Sequence, residues 1–224
     1  DMDQVERLAA DPEVKGIWCV PKYSNPDGIV YSERTIARMA ALKPAAPDFM
    51  ILWDNAYCVH QFRGEYQPIA DILSLCAWNG SPDMVYEFAS TSKITIPGAG
   101  MAVMAASQAN IQYLSGLMDA QMISCDKINQ LRQVRFLKDK AHTLELMQRH
   151  AALLRPRFDA FLTELEKLRP LEIARWTQPQ GGYFISLYTL PGCAKRTVEL
   201  CRQAGLVMTQ AGAAYPYGKD PEDR

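Results

Sequence analysis

The chain has 224 residues, enough for one large domain with a buried core, or for one domain and part of another. Its 24 basic and 25 acidic side chains nearly cancel, and a net charge of -1 provides no field to draw in nucleic acid or an anionic membrane. With 48% hydrophobic and 22% charged residues it does not read as a disordered tail, and its longest apolar runs, such as Phe49–Trp53, are far too short to span a bilayer.

The predicted elements alternate between short apolar runs and amphipathic helices, the pattern of an α/β sheet. Val5–Ala10 reads as the end of a helix, and Gly16–Val20 as a buried strand. Ser32 caps a helix running to Leu42, with Pro44 and Pro47 punctuating its end. Phe49–Trp53 is a second strand, Ile69–Trp78 a helix, Met84–Ala89 a third strand and Met101–Ala105 a fourth. Strands of this kind separated by helices favour covered, largely parallel pairing. From Asp126 to about Leu168 the spacing of Leu131, Val134, Leu137, Leu144 and Met147 predicts helix, with Pro156 kinking or dividing it. This stretch is the candidate bridge between two domains, with the boundary near residue 145. Gly182–Leu187 reads as a strand, and Ala194–Ala204 as a helix stopped by Gly205. Trp18 and Trp53 are assigned to the core. Six cysteines stand without a CxxC pair or a Cys/His cluster, mostly in apolar stretches, and are read as reduced core residues of a cytoplasmic protein. His60, His142 and His150 lack metal-ligand spacing and receive no role, so no metal site is expected.

The informative polar residues fall at strand ends, where open α/β sheets bind ligands. After the first strand comes Asn25-Pro26-Asp27-Gly28. The second runs directly into Asp54-Asn55-Ala56-Tyr57. The third ends in Ser90-Thr91-Ser92-Lys93, followed by Pro97-Gly98-Ala99-Gly100. Each has an ordinary reading on its own: a turn, a helix cap, a solvated lysine. All three stand in the same position relative to successive strands, which points to a single site.

These clusters, in this order and at these separations, resemble the cofactor-binding core of the fold-type I aminotransferases, class I/II, which use pyridoxal 5'-phosphate (PLP). Lys15–Gly28, Trp53–His60, Glu87–Gly100, Asn129–Asp139 and Gly212–Asp220 resemble the type Ic aspartate aminotransferases in particular. The resemblance implies an α/β fold with a mostly parallel central sheet flanked by helices, plus part of a smaller α+β C-terminal domain. Residues 1–145 would then be the C-terminal portion of the large PLP-binding domain, and 146–224 an incomplete small domain. It also implies the site. Lys93 would be the catalytic residue, forming an imine with the cofactor's aldehyde and later acting as the base that moves a proton. For that its amine must be uncharged, so the chemistry calls for a setting that disfavours the ammonium. Asp54 would keep the pyridine nitrogen protonated, and Tyr57 and Asn25 would contact the 3-hydroxyl oxygen. Ser90 and Ser92 would donate to the phosphate. The sequence departs from the pattern eight residues after the lysine, where many members carry a phosphate-pairing arginine and this chain has Met101. The Gly-rich backbone, or a region outside the chain, would take over that contact. Gly181-Gly182-Tyr183-Phe184 is similar to a strand facing the substrate entrance, or else marks a tight backbone approach. Tyr215 and Tyr217 either approach the site or pack at a domain edge.

The chain opens on Asp1-Met2-Asp3, and the resemblance leads us to expect a piece of a longer protein. A phosphate loop and a ring-stacking aromatic would precede it, and the arginine that grips the substrate α-carboxylate would follow Arg224. By itself the chain is then expected to be inactive. The implied activity is transamination of an amino acid with a 2-oxo acid, aspartate with 2-oxoglutarate first, in a homodimer. A β-lyase on the same scaffold and a PLP-binding effector domain of a transcriptional regulator are the alternatives.

Overall fold

A computed structural model describes all residues, 1–224. Its centre is a four-stranded sheet in the order β1 (Gly16–Cys19), β2 (Met50–Asp54), β3 (Val85–Ser90), β4 (Ala102–Ala106). Helices α1 (Met2–Ala9), α2 (Glu33–Ala40) and α3 (Ile72–Trp78) lie among the first three strands in the chain and share one core with them. The caps explain where they start: Asp1, Ser32 and Asp71 each accept backbone N–H groups of the first turn. Arg38 of α2 pairs with Asp3 and Glu6 of α1, so the two helices are joined by charge as well as packing. The core holds Cys19, Ile36, Met39, Ile51, Trp53, Ile72 and Val85, all essentially inaccessible. Each large apolar side chain buried there is worth about 2 kcal/mol of transfer free energy.

β1, β2 and β3 pair in parallel as expected, but β4 runs antiparallel to β3, with Tyr86 opposite Ala106 and Ser90 opposite Ala102. The cause is the connection. A parallel return needs a crossover element, and residues 91–101 form only a hydroxyl- and glycine-rich loop. Trp18 is a second correction: it is 64% exposed, because alternation along β1 turns it away from the face that buries Cys19.

Beyond the sheet, α4 (Gln108–Gln121), absent from the sequence reading, follows β4 and buries none of its residues. The long helical stretch does break, though not at Pro156. α5 (Lys127–Leu137) ends where Lys138 takes φ 59°, and Asp139 caps α6 (Lys140–Glu166), which continues through Pro156 and across residue 145. Phe158 of α6 stacks on Phe62 at 4.3 Å, and Arg155 donates to the Phe62 carbonyl at 2.8 Å. The helix is thereby fixed to the segment after β2. β5 (Ala174–Trp176) pairs antiparallel with β6 (Leu187–Thr189). Of the predicted strand Gly182–Leu187, only Leu187 is regular; the rest follows a turn seated on the segment after β2. α7 (Ala194–Gln203) ends before Gly205 at φ 87°. All six cysteines are free; Cys19 and Cys76 are buried, whereas Cys125 and Cys193 are exposed, so the expectation of mostly core cysteines holds only in part. No helix is long and apolar enough to cross a membrane.

Candidate active site

The C-terminal ends of β1, β2 and β3 open toward the same side because the three strands are parallel and in step, and each hands on to a loop carrying one polar cluster. Asp54 closes β2, opposite Phe88. The next turn is set by Asn55, whose N–H donates to the Phe88 carbonyl at 2.8 Å and whose amide donates to Glu87 at 3.1 Å. This turn brings Tyr57 back toward Asp54 with its ring buried. Burial raises the Tyr57 pKa, the nearby Asp54 and Tyr183 raise it further, and a hydrogen bond from Asn25 pulls it back down. Asn25, Asp54 and Tyr57 therefore share one small volume.

Lys93 completes it. Its side chain is exposed, and its nitrogen lies over the Tyr57 ring, 4.8 Å from the centroid. The turn that carries it is self-bracing: Ser90 donates its hydroxyl hydrogen to Ser92 Oγ at 2.8 Å, and the Ser92 N–H donates to Ser90 Oγ. Thr91 is occupied elsewhere, its N–H donating to the Met101 carbonyl and its Oγ1 accepting from the Met101 N–H. Met101 thus closes the base of the loop through its backbone, and its N–H is not free for an incoming anion. Gly100 sits so close to Ser92 that a Cβ there would lie 2.1 Å from Ser92 Oγ. The structure brings Ser90, Ser92 and Lys93 into one turn and Asn25, Asp54 and Tyr57 into its neighbourhood. Tyr215 and Tyr217 are exposed at the far end of the chain.

Several residues that hold this arrangement were not identified from sequence. Asn129 and Gln133, one helical turn apart on α5, both donate to the Ala99 carbonyl, at 3.0 and 2.6 Å. The Gly-rich loop is thereby tied to a helix that starts beyond β4 and α4. Their i, i+4 spacing was the available signal. Lys22, 3% exposed, donates to the carbonyl of Cys58 at 2.9 Å and to that of Gln67, with the Tyr66 ring 4.5 Å from its nitrogen. It fastens the Asn25 loop to the Tyr57 segment, and burial lowers its pKa. Asp27 accepts from Ser186 and Tyr188, joining the same loop to the C-terminal sheet. Gly181 fits where a Cβ would meet the His60 carbonyl at 2.5 Å and the Tyr23 ring at 2.7 Å. The glycine pair is a tight backbone approach, and it places Tyr183 beside the site: its hydroxyl donates to the Lys93 carbonyl at 3.2 Å. Buried His60 has a ring nitrogen 3.1 Å from that same carbonyl.

A primary amine, a carboxylate, a phenol, an amide and two hydroxyls in this order are the donor set that PLP takes, and the pairing of Asn25 with Tyr57 below the Lys93 nitrogen fits that group. A Mycolicibacterium smegmatis protein whose name places it among the aminotransferases is 48% identical over 227 residues, covering 100% of this chain and 53% of that protein. An aspartate aminotransferase of Corynebacterium glutamicum is 42% identical over 225 residues, covering 100% of this chain and 52% of that protein. The crystal structure of an aspartate transaminase from Corynebacterium glutamicum superposes with a TM-score of 0.97 at 42% identity, over 100% of this chain and 53% of that one. The chain therefore spans about half the length of these relatives. The family model described as "Aspartate amino-transferase" matches residues 1–224, and the chain belongs to that family, the PLP-dependent aminotransferases of fold type I.

Proposed function

We propose that this chain supplies the cofactor-holding half of an enzyme that transfers an amino group between an amino acid and a 2-oxo acid, with aspartate and 2-oxoglutarate as the pair. The observation that carries the reading is the gathering of Asn25 and Asp54 around Tyr57, whose ring lies beneath the Lys93 nitrogen. PLP, when bound, withdraws electrons from the substrate's Cα. Lys93 would hold the cofactor through its amine and carry the proton to and from Cα. Asp54 would hold a proton on the pyridine nitrogen. Tyr57 and Asn25 would donate to the 3-hydroxyl oxygen, and Ser90 and Ser92 to the phosphate, where charge-assisted hydrogen bonds are about twice as strong as neutral ones. Aspartate is favoured as donor because the Corynebacterium glutamicum relative, 42% identical and matched in sequence and in crystal structure, carries that activity in its name.

The same reading places residues 1–145 in the large domain and 146–224 in the small one, with α6 as the bridge between them. It makes the protein a cytoplasmic homodimer. Six free cysteines support a reducing compartment. The apolar exposure of Tyr113, Leu117, Met118, Ile128, Leu131 and Val134 on α4 and α5 supports a covered face.

The test uses the complete polypeptide that carries this chain, loaded with PLP. Aspartate should bleach the visible band of lysine-bound PLP, and 2-oxoglutarate should restore it. Release of pyruvate and ammonia from a β-substituted donor, with no recovery of the band, would overturn transamination in favour of elimination.

A further inference from the structure

We propose that His60 and Tyr183 are positioning residues that set the direction of the Lys93 side chain by clamping its backbone carbonyl. The inference rests on the reading of Lys93 as the cofactor-binding lysine.

The Lys93 carbonyl oxygen takes two hydrogen bonds from side chains remote in sequence: His60 Nε2 at 3.1 Å and the Tyr183 hydroxyl at 3.2 Å. A carbonyl can only accept, so Nε2 must be the protonated nitrogen of His60. The other nitrogen, Nδ1, is buried and has no partner. An imidazolium in this place would be stripped of water among aromatic rings and beside the Lys93 side chain, a cost that the Lys93 and Tyr57 carbonyls offset only in part. The ring is therefore neutral, and burial, its largest influence, pulls its pKa down to about 4. The groups that face it are Tyr57, Tyr183 and Lys93, with His150 of α6 as a further titratable neighbour.

The two donors are not independent. The His60 carbonyl accepts the Gly182 N–H at 2.9 Å, and Gln61 bridges to Gly181. The backbone leading into Tyr183 is thus built onto the backbone of His60 and Gln61. The rings of His60, Tyr183 and Tyr57 then meet edge to face, with centroids 5.4 to 6.2 Å apart. Tyr57 lies under the Lys93 nitrogen, so one aromatic trio touches Lys93 at both ends: the carbonyl through two donors and the amine through a ring face. Fixing the carbonyl fixes the peptide plane, and with it the direction in which a side chain with four rotatable bonds leaves the backbone. A small tilt there is amplified at the amine. Both donors meet Lys93 at its carbonyl, so they act on the amine through Lys93 itself.

The experiment measures two properties of the complete PLP-loaded polypeptide: the pH midpoint of the visible band of lysine-bound PLP and the PLP dissociation constant. His60→Phe and Tyr183→Phe should each move the midpoint by at least ~0.5 pH unit, about threefold in the proton equilibrium. His60→Gln, which keeps an N–H donor, should return most of the shift. The double variant should shift by less than the sum, since both donors serve one acceptor. Tyr183→Phe removes a single oxygen and keeps the packing, so it tests the clamp even where His60→Phe fails to fold. An unmoved midpoint in Tyr183→Phe, with the band present in the parent protein, overturns the clamp alone. A parent protein that binds no PLP at Lys93 overturns both this inference and the functional reading beneath it.

Discussion

The Lys93 side-chain nitrogen lies 4.8 Å from the centroid of the Tyr57 ring, over its face. The two residues come from the loops after β3 and β2, and the in-step parallel pairing of those strands brings them together. A cation over an aromatic face is stabilised by roughly 0.5–2 kcal/mol, enough to bias where the amine rests.

Lys93→Ala removes that amine. In the complete polypeptide it should abolish the visible band of lysine-bound PLP, and borohydride treatment should leave no labelled peptide spanning residues 87–100. A retained band, or a label on another lysine, would refute the assignment.

Asp54→Asn tests the electron-withdrawing arrangement separately. It keeps shape and removes the carboxylate charge, and a lost charge-assisted contact of ~3–4 kcal/mol corresponds to a fall in kcat/KM of roughly 10²- to 10³-fold. Covalent capture of PLP by Lys93 should survive, because the amine is untouched. Equal loss of capture and turnover would show that Asp54 serves only the fold.

Buried His60 makes stability depend on pH. Its folded pKa, about 4, lies below the ordinary histidine value of 6.5, so between those values the unfolded chain takes up a proton that the folded one refuses. Its contribution is intact above pH 6.5 and is lost as pH falls toward 4, in total on the order of 3 kcal/mol. Denaturant unfolding measured across this window should show that slope, and His60→Gln should flatten it.

Two glycine substitutions should act in opposite directions. Gly181→Ala forces a Cβ against the His60 carbonyl and the Tyr23 ring, an overpacking that costs about 1–3 kcal/mol. Gly116→Ala, inside α4 with nothing within 4 Å of its new methyl, should stabilise by about 0.5–1 kcal/mol. Thermal melts of the two variants check both signs.

Lys22→Met keeps the length of the buried side chain and removes its two donations, leaving the Cys58 and Gln67 carbonyls short of a partner. Each unsatisfied buried acceptor costs about 1–3 kcal/mol, so urea midpoints should fall clearly. PLP affinity should fall with them, because the Asn25 loop is held through the same contacts.

Sequence by itself determined the first three strands, the Ser32 cap and the polar clusters at the strand ends. Apolar periodicity, Ser32 and the run from Trp53 into Asp54 are local features, and local features are legible one segment at a time. Four things were decided only by tertiary structure. β4 runs antiparallel because the loop at 91–101 holds no crossover helix. Trp18 faces outward because of its parity on β1. The long helix breaks at Lys138 and not at Pro156. Last are the partners of polar side chains: His60 reaches Lys93, Gln133 reaches Ala99, Lys22 reaches Gln67 and Tyr188 reaches Asp27. No periodicity announces such pairs, since each joins residues more than thirty positions apart. A lone histidine or lysine reads the same in sequence whether it faces water or a buried carbonyl, and the fold decides which by removing the water.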